Sequence, residues 1–175
     1  MKKSVFFAIA LLFTVAMSTV GCHNKPSDAC TQLETSQKQL EADLKMYETT
    51  WDEIVNKGKI NLIDTAHFEK DITLITAPGN IVGIDSFRAY YNNYLTGFSD
   101  IKFTIIDVFG QVDKIVKHWK FEGKHTGLFF GIPATNKEVN VQGVTLVKMK
   151  NRKIAQEQDF LDNLEFMQQI GLIPR

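Results

Sequence analysis

The chain has 175 residues, enough for one compact domain with a conventional core and too few for two. Its 44% hydrophobic and 23% charged residues lie in the ordinary globular range and exclude disorder as its default state. Twenty basic residues balance twenty acidic ones, so the basic stripe that neutralises phosphates is missing and nucleic-acid binding is set aside.

The chain opens as an export signal. Lys2 and Lys3 precede an apolar run from Val5 to Val15, and small residues lead to Gly21. That run is shorter than the roughly 20 residues that span a bilayer, so the expectation is a cleaved segment over residues 1–21. Its removal leaves 18 basic against 20 acidic side chains. Thr19-Val20-Gly21-Cys22 has the form of a bacterial lipobox, with Cys22 as the lipidated first residue; a plain secretory signal with Cys22 incidental is the alternative. The resulting expectation is a lipoprotein anchored in the cell envelope, on its periplasmic or surface side. Cys30 is the second of two cysteines. It stands alone if Cys22 is acylated and can close a small loop if it is not. Two cysteines without neighbouring His/Cys spacing give no metal site.

Residues 22–32 are polar and contain Pro26, so they read as a tether, followed by a domain over 33–175. Leu33, Leu40, Leu44, Tyr47, Trp51, Ile54 and Val55 recur at three- and four-residue spacing and predict a helix from about Gln32 to Lys57, stopped by Gly58. A second, short helix is expected from Ile60 to Ala66, then a strand from Phe68 to Thr76 and a turn at Ala77-Pro78-Gly79-Asn80. Phe87, Tyr90, Tyr91 and Tyr94 mark a helix over 83–96, capped by Asp85 or Ser86 and ended by Gly97. From Ile101 the period becomes two, with Ile101, Phe103 and Ile105 on one face. Further strands follow at 114–123, 138–150 and 153–160, and helical spacing returns from Leu161 to Ile170. Helices first and then a run of long strands describe an α+β domain.

Several short marks occur in one order. They are Asn56-Lys57-Gly58, Gly83 with Phe87, Phe98-Ser99-Asp100, His125-Thr126-Gly127, Gly131-Ile132-Pro133 and Asp162-Asn163-Leu164. Together they resemble the SnoaL-like polyketide cyclase, or ester cyclase, family of the NTF2-like superfamily over roughly residues 47–172. The resemblance implies a cone in which a curved antiparallel sheet wraps around the N-terminal helices and encloses a cavity. It also implies a small apolar or carbonyl-containing ligand, acid/base chemistry without a cofactor, and a homodimer as one assembly of such cones.

Asp159 aligns with the carboxylate that shuttles the proton in the cyclases, and burial in an apolar cavity would suit it to that role. It also lies just before a helix, where an acid caps free N–H groups, so both readings are open. Alternation places Glu157 on the same face as Asp159, making it a second, weaker catalytic candidate. Family members commonly carry histidine where Glu157 and Thr145 stand here. His125, Thr145, Trp119 and Tyr91 are the candidate ligand-binding residues. For His125 a structural role in its glycine-rich turn is the alternative, and for Tyr91 a place in the core or pocket wall. His118 and Trp119 point to opposite faces of one strand, and alternation alone does not say which points inward. No GxSxG, GxGxxG or GxxxxGK[ST] motif is present to support nucleophilic hydrolysis or nucleotide binding. The sequence therefore supports two functions: an enzyme acting on a carbonyl compound as cyclase, isomerase or hydrolase, or a non-catalytic module that holds a small molecule or lipid.

Overall fold

The computed structural model describes residues 27–174; the expected signal segment, Cys22 and the rest of the expected tether up to residue 26 lie outside the described residues. Helix α1 (Asp28–Asn56) begins where Ser27 accepts a hydrogen bond from the Cys30 amide, so residues 28–32 are helical rather than tether. Its first turns are exposed, Leu33 included. From Leu40 onward one stripe turns inward: Leu40, Asp43, Tyr47, Trp51 and Ile54, at the three- and four-residue steps of a single helix face. Gly58, at φ 65°, takes the left-handed conformation that ends the helix. Beyond it only one 3-10 turn forms, Ile60–Leu62. The expected helix stops there because the Asp64 carboxylate accepts from the amides of Ala66 and His67, which redirects the chain.

Six strands follow: β1 (Phe68–Leu74), β2 (Ile81–Val82), β3 (Phe98–Gln111), β4 (Lys114–His125), β5 (Glu138–Lys150) and β6 (Lys153–Leu161). Helix α2 (Ile84–Gly97) precedes β3, and α3 (Asn163–Gln169) follows β6. The Ala77–Pro78 peptide between β1 and β2 is cis. Gly83 caps α2; neither Asp85 nor Ser86 does, and Asp85 instead pairs with Arg88 one turn on. The strands form one sheet in the order β2-β1-β6-β5-β4-β3, antiparallel except where β1 runs parallel to β6. Register shifts in the β3–β4 and β5–β6 pairs bend it.

The sheet curls over α1 and α2, so the expected α+β cone is what the chain builds. Val139, Val141 and Val147 of β5 face inward with Ile115, Trp119 and Phe121 of β4. Each such side chain, once fully buried, contributes about 1.5–3 kcal/mol. His118 faces out, bonded to Gln142. The shift between the Lys148↔Gln156 and Met149↔Ile154 pairs breaks strict alternation in β6. Ile154 and Glu157, three residues apart, are therefore both fully buried.

Candidate active site

A cavity of about 280 Å³ lies between α2, the inner face of the sheet and the loop after β4. That is close to the lower end of the roughly 300–1,000 Å³ range of ligand pockets. Its wall is largely aromatic, with Trp51, Tyr90, Tyr91, Tyr94, Phe103, Trp119, Phe121, Phe129 and Phe130 among the lining. The polar groups that reach it are few, chiefly Asp159, Lys117 and the tyrosine hydroxyls.

Asp159 is placed by β6 and held from two sides. Thr145, its partner across the β5–β6 pair, donates to Oδ1 at 2.5 Å, and Tyr91 of α2 donates to Oδ2 at 2.9 Å. Thr145 in turn accepts from the Trp119 indole N–H at 2.9 Å. A chain of donors thus runs from β4 through β5 to the carboxylate on β6. Trp119 can lie across β5 because residue 143 is glycine: a Cβ there would come within 2.4 Å of the indole. Asp159 does not cap α3. Asp162 does, accepting from the Glu165 amide at 2.9 Å, so the capping reading of Asp159 falls away.

Glu157 sits behind Asp159, fully buried and not itself on the cavity wall. Its Oε1 accepts from Tyr47 Oη at 2.7 Å and Trp51 Nε1 at 2.9 Å, both on α1, and its Oε2 lies 3.2 Å from Tyr91 Oη. Burial pushes its pKa up to about 7; Lys117 opposes the rise and the Asp159 charge adds to it. Tyr91 therefore bridges two carboxyl groups with a single hydroxyl. Burial and the same acids raise its own pKa well above the usual tyrosine value, so it stays a hydroxyl near neutrality.

Lys117 is the group that the sequence reading passed over. It lies on the inner face of β4 between Ile115 and Trp119 and is only 4% exposed. Its ammonium stands 4.6 Å from the Trp51 ring centroid, 5.2 Å from that of Tyr47 and 5.3 Å from that of Phe103. Burial lowers its pKa, while the charges of Glu157 and Asp159 counter that. Tyr47 and Trp51 were read only as the apolar stripe of α1; as donors to Glu157 they belong to the site.

The four expected ligand-binding positions divide two and two. Trp119 and Tyr91 line the cavity as expected. Thr145 does not reach it and is fully buried behind Asp159, where it orients the carboxylate. His125 does not reach it either: fully buried, its ring packs against Phe98 and Phe129 while Nδ1 meets Thr135 Oγ1 at 3.0 Å. The loop it begins contributes Phe129 and Phe130 to the cavity wall. Phe130 and Gly131, at φ 45° and 82°, form the tight turn of a bridge between Phe129 and Ile132, and the Phe130 ring lies 5.0 Å from that of Tyr90. Among the described residues no three His, Cys, Asp or Glu side chains converge as a metal site would. Nor is any described helix long and apolar enough to cross a membrane.

A curved sheet closed by helices over an aromatic cavity with a carboxylate on its wall is the NTF2-like arrangement, a class whose members bind small molecules or act as cyclases and isomerases. Within it, the chain belongs to the SnoaL-like polyketide cyclase family, whose sequence profile it matches over residues 45–170. Solved structures agree on the fold. TsrD from Streptomyces laurentii superposes with a TM-score of 0.68 at 21% identity, covering 75% of this chain and 97% of its own. A protein assigned as a SnoaL-like polyketide cyclase from Jannaschia sp. CCS1 gives 0.64 at 20% identity, covering 74% and 94%. An NTF2-like protein of unknown function from Burkholderia pseudomallei K96243 gives 0.61 at 11% identity, covering 74% and 97%. No curated protein matches the chain.

Proposed function

We propose that the domain binds an aromatic or fused-ring carbonyl compound and moves a proton on it, with Asp159 as the group that touches substrate. The observation that carries this reading is the Asp159–Tyr91–Glu157 relay: a cavity-wall carboxylate joined by one hydroxyl to a buried carboxyl whose pKa is about 7. Asp159 takes a proton from the carbon beside the carbonyl. The C–H electron pair becomes a C=C bond and the carbonyl π pair moves to oxygen. Return of the proton to a different carbon gives isomerisation. Attack of the carbanion on a second carbonyl gives ring closure, and the new alkoxide then takes the proton from Asp159. When Glu157 is neutral, its Oε2–H donates to Tyr91 Oη and the Tyr91 O–H donates to Asp159, so a proton can be resupplied from the protein interior. Positioned acid/base groups of this kind contribute about 10²–10⁴-fold to rate.

The test is α-carbon deuterium exchange of 2-tetralone in D₂O, followed by NMR, with binding read from tryptophan fluorescence. Both tryptophans of the chain, Trp51 and Trp119, line the cavity. The protein should accelerate exchange, and Asp159→Asn should lose that acceleration about 100-fold or more while keeping most of the affinity. Binding without any accelerated exchange would instead identify a non-catalytic binding module.

We further propose that the domain is exported and tethered to the envelope by a lipid on Cys22. The lipobox-like Thr19-Val20-Gly21-Cys22 supports this, and so do the exposed first turns of α1, which would stand the cavity off the bilayer. Cys22→Ala should abolish incorporation of labelled fatty acid and release the protein from the membrane fraction. Pairing of two copies through the outer sheet face is the assembly that Ile106, Leu146 and Phe160, all exposed there, would support, and sedimentation equilibrium tests it.

A further inference from the structure

The proton relay leaves one buried charge without a use. Lys117 projects from β4 into the wall of the same cavity, and among the described residues its ammonium meets three aromatic rings but no hydrogen-bond acceptor. Ring faces stabilise a desolvated cation. They do not replace the acceptors that three N–H groups have in water, and Lys117 reaches the cavity wall, where an acceptor can stand. Glu157 is not that acceptor. Its oxygens are taken by Tyr47, Trp51 and Tyr91, and it forms no ion pair with Lys117. Asp159 is likewise engaged by Thr145 and Tyr91. What remains in reach of the ammonium is the cavity itself.

We propose that Lys117 is the anion-holding group of the cavity, and that the ligand carries an acidic oxygen on an aromatic or fused-ring body, a carboxylate, phenolate or enolate that seats on this ammonium. The inference rests on the cavity being a ligand site, as proposed above, and gives that site a chemical polarity. One end is a carboxylate that accepts a proton, the other a cation that receives negative charge on oxygen. Flat apolar rings between them fit the body of the ligand. An enolate formed by proton loss to Asp159 would develop its charge where Lys117 can hold it, and preorganised charge of this kind needs no rearrangement at the moment of reaction. The titratable groups facing Lys117 are Glu157 and Asp159 from β6 and Tyr47 from α1; Phe103 of β3 and Thr145, its partner on β5, bring no charge. Glu157 is the one of these held near pH 7. Anion binding should therefore weaken as its carboxyl ionises.

The experiment compares 2-naphthoate with 2-naphthamide, which differ in charge and hardly in shape, by quenching of tryptophan fluorescence. The protein should bind the acid at least tenfold more tightly than the amide at pH 6, and the preference should shrink at pH 8. Lys117→Met should bind the two alike, and Lys117→Arg should keep the preference. Should Lys117→Met fail to fold, the wild-type preference, its fall with pH and the arginine variant still decide. Amide binding with no preference for the acid, or a preference that survives Lys117→Met, overturns the assignment of Lys117 alone. Failure of both compounds to bind overturns it together with the cavity reading.

Discussion

Replacing Glu157 with glutamine should make the protein more stable at pH 8 while leaving it almost unchanged at pH 5. Glutamine keeps an oxygen to accept from Tyr47 and Trp51 and offers an N–H to the Tyr91 oxygen, so it imitates the protonated acid. In the unfolded chain the Glu157 carboxyl titrates near its ordinary value of 4.5, and in the folded protein near about 7. A carboxyl whose folded pKa is raised binds more protons in the native state. Its protonation thus supports folding below the unfolded value, and that support is lost as pH climbs toward the folded one. The gap between 4.5 and about 7, at 1.36 kcal/mol per pKa unit, corresponds to about 3 kcal/mol. That is a large part of the roughly 5–15 kcal/mol by which domains are stable. Urea denaturation at pH 5, 6, 7 and 8, followed by tryptophan fluorescence, measures it. The wild-type midpoint should fall with pH relative to the variant, by roughly 1–2 M in all. Taking the difference between the two proteins removes the titration of every other group. Parallel pH profiles for wild type and variant would refute the assignment of the buried proton to Glu157.

Two further substitutions probe the parts that hold Asp159. Gly143→Ala places a methyl group against the Trp119 indole and the Phe160 carbonyl, so it should destabilise by about 1–3 kcal/mol, seen as a Tm several degrees lower; an unchanged Tm would mean that the indole does not lie there. Asp162→Ala should remove the α3 cap at about 1 kcal/mol, whereas Asp159→Asn leaves that cap intact; calorimetry showing no loss for Asp162→Ala would reopen the capping role of Asp159.

Much of this was legible in the chain. The apolar stripe of α1 from Leu40 onward, the aromatic spacing of α2 and the alternation of β3 to β5 are local signals, and each appears where the period placed it. Which row of β4 turns inward is left open by alternation, although Ile115, Lys117, Trp119 and Phe121 share one face in the sequence itself. A lysine in such a row was the signal for Lys117. Other parts depend on contacts between segments far apart. Tyr47 and Trp51 become donors only because α1 packs against a strand 110 and 106 positions later, and nothing local announces it. The seat that Gly143 makes for Trp119 follows from register, which alternation leaves open. The short helix expected after Gly58 failed for a local reason of another kind. Side-chain bonds from Asp64 to the backbone outcompeted a weak helical pattern.

The position of β6 in the sheet has a consequence for which part of the cavity wall holds firm. β6 is paired on both sides as far as Glu157, with β1 and β5, and beyond it Asp159 is paired with Thr145 of β5. Opening the strand up to Glu157 would break two ladders at once, and in a native protein such strands exchange their amide hydrogens last. The turn at Phe130 and Gly131 is held instead by a single bridge, with a phenylalanine in a backbone conformation that side chains disfavour. That turn is therefore the more weakly tied part of the cavity wall. Amide exchange should be faster at Phe130 and Gly131 than along β6 up to Glu157.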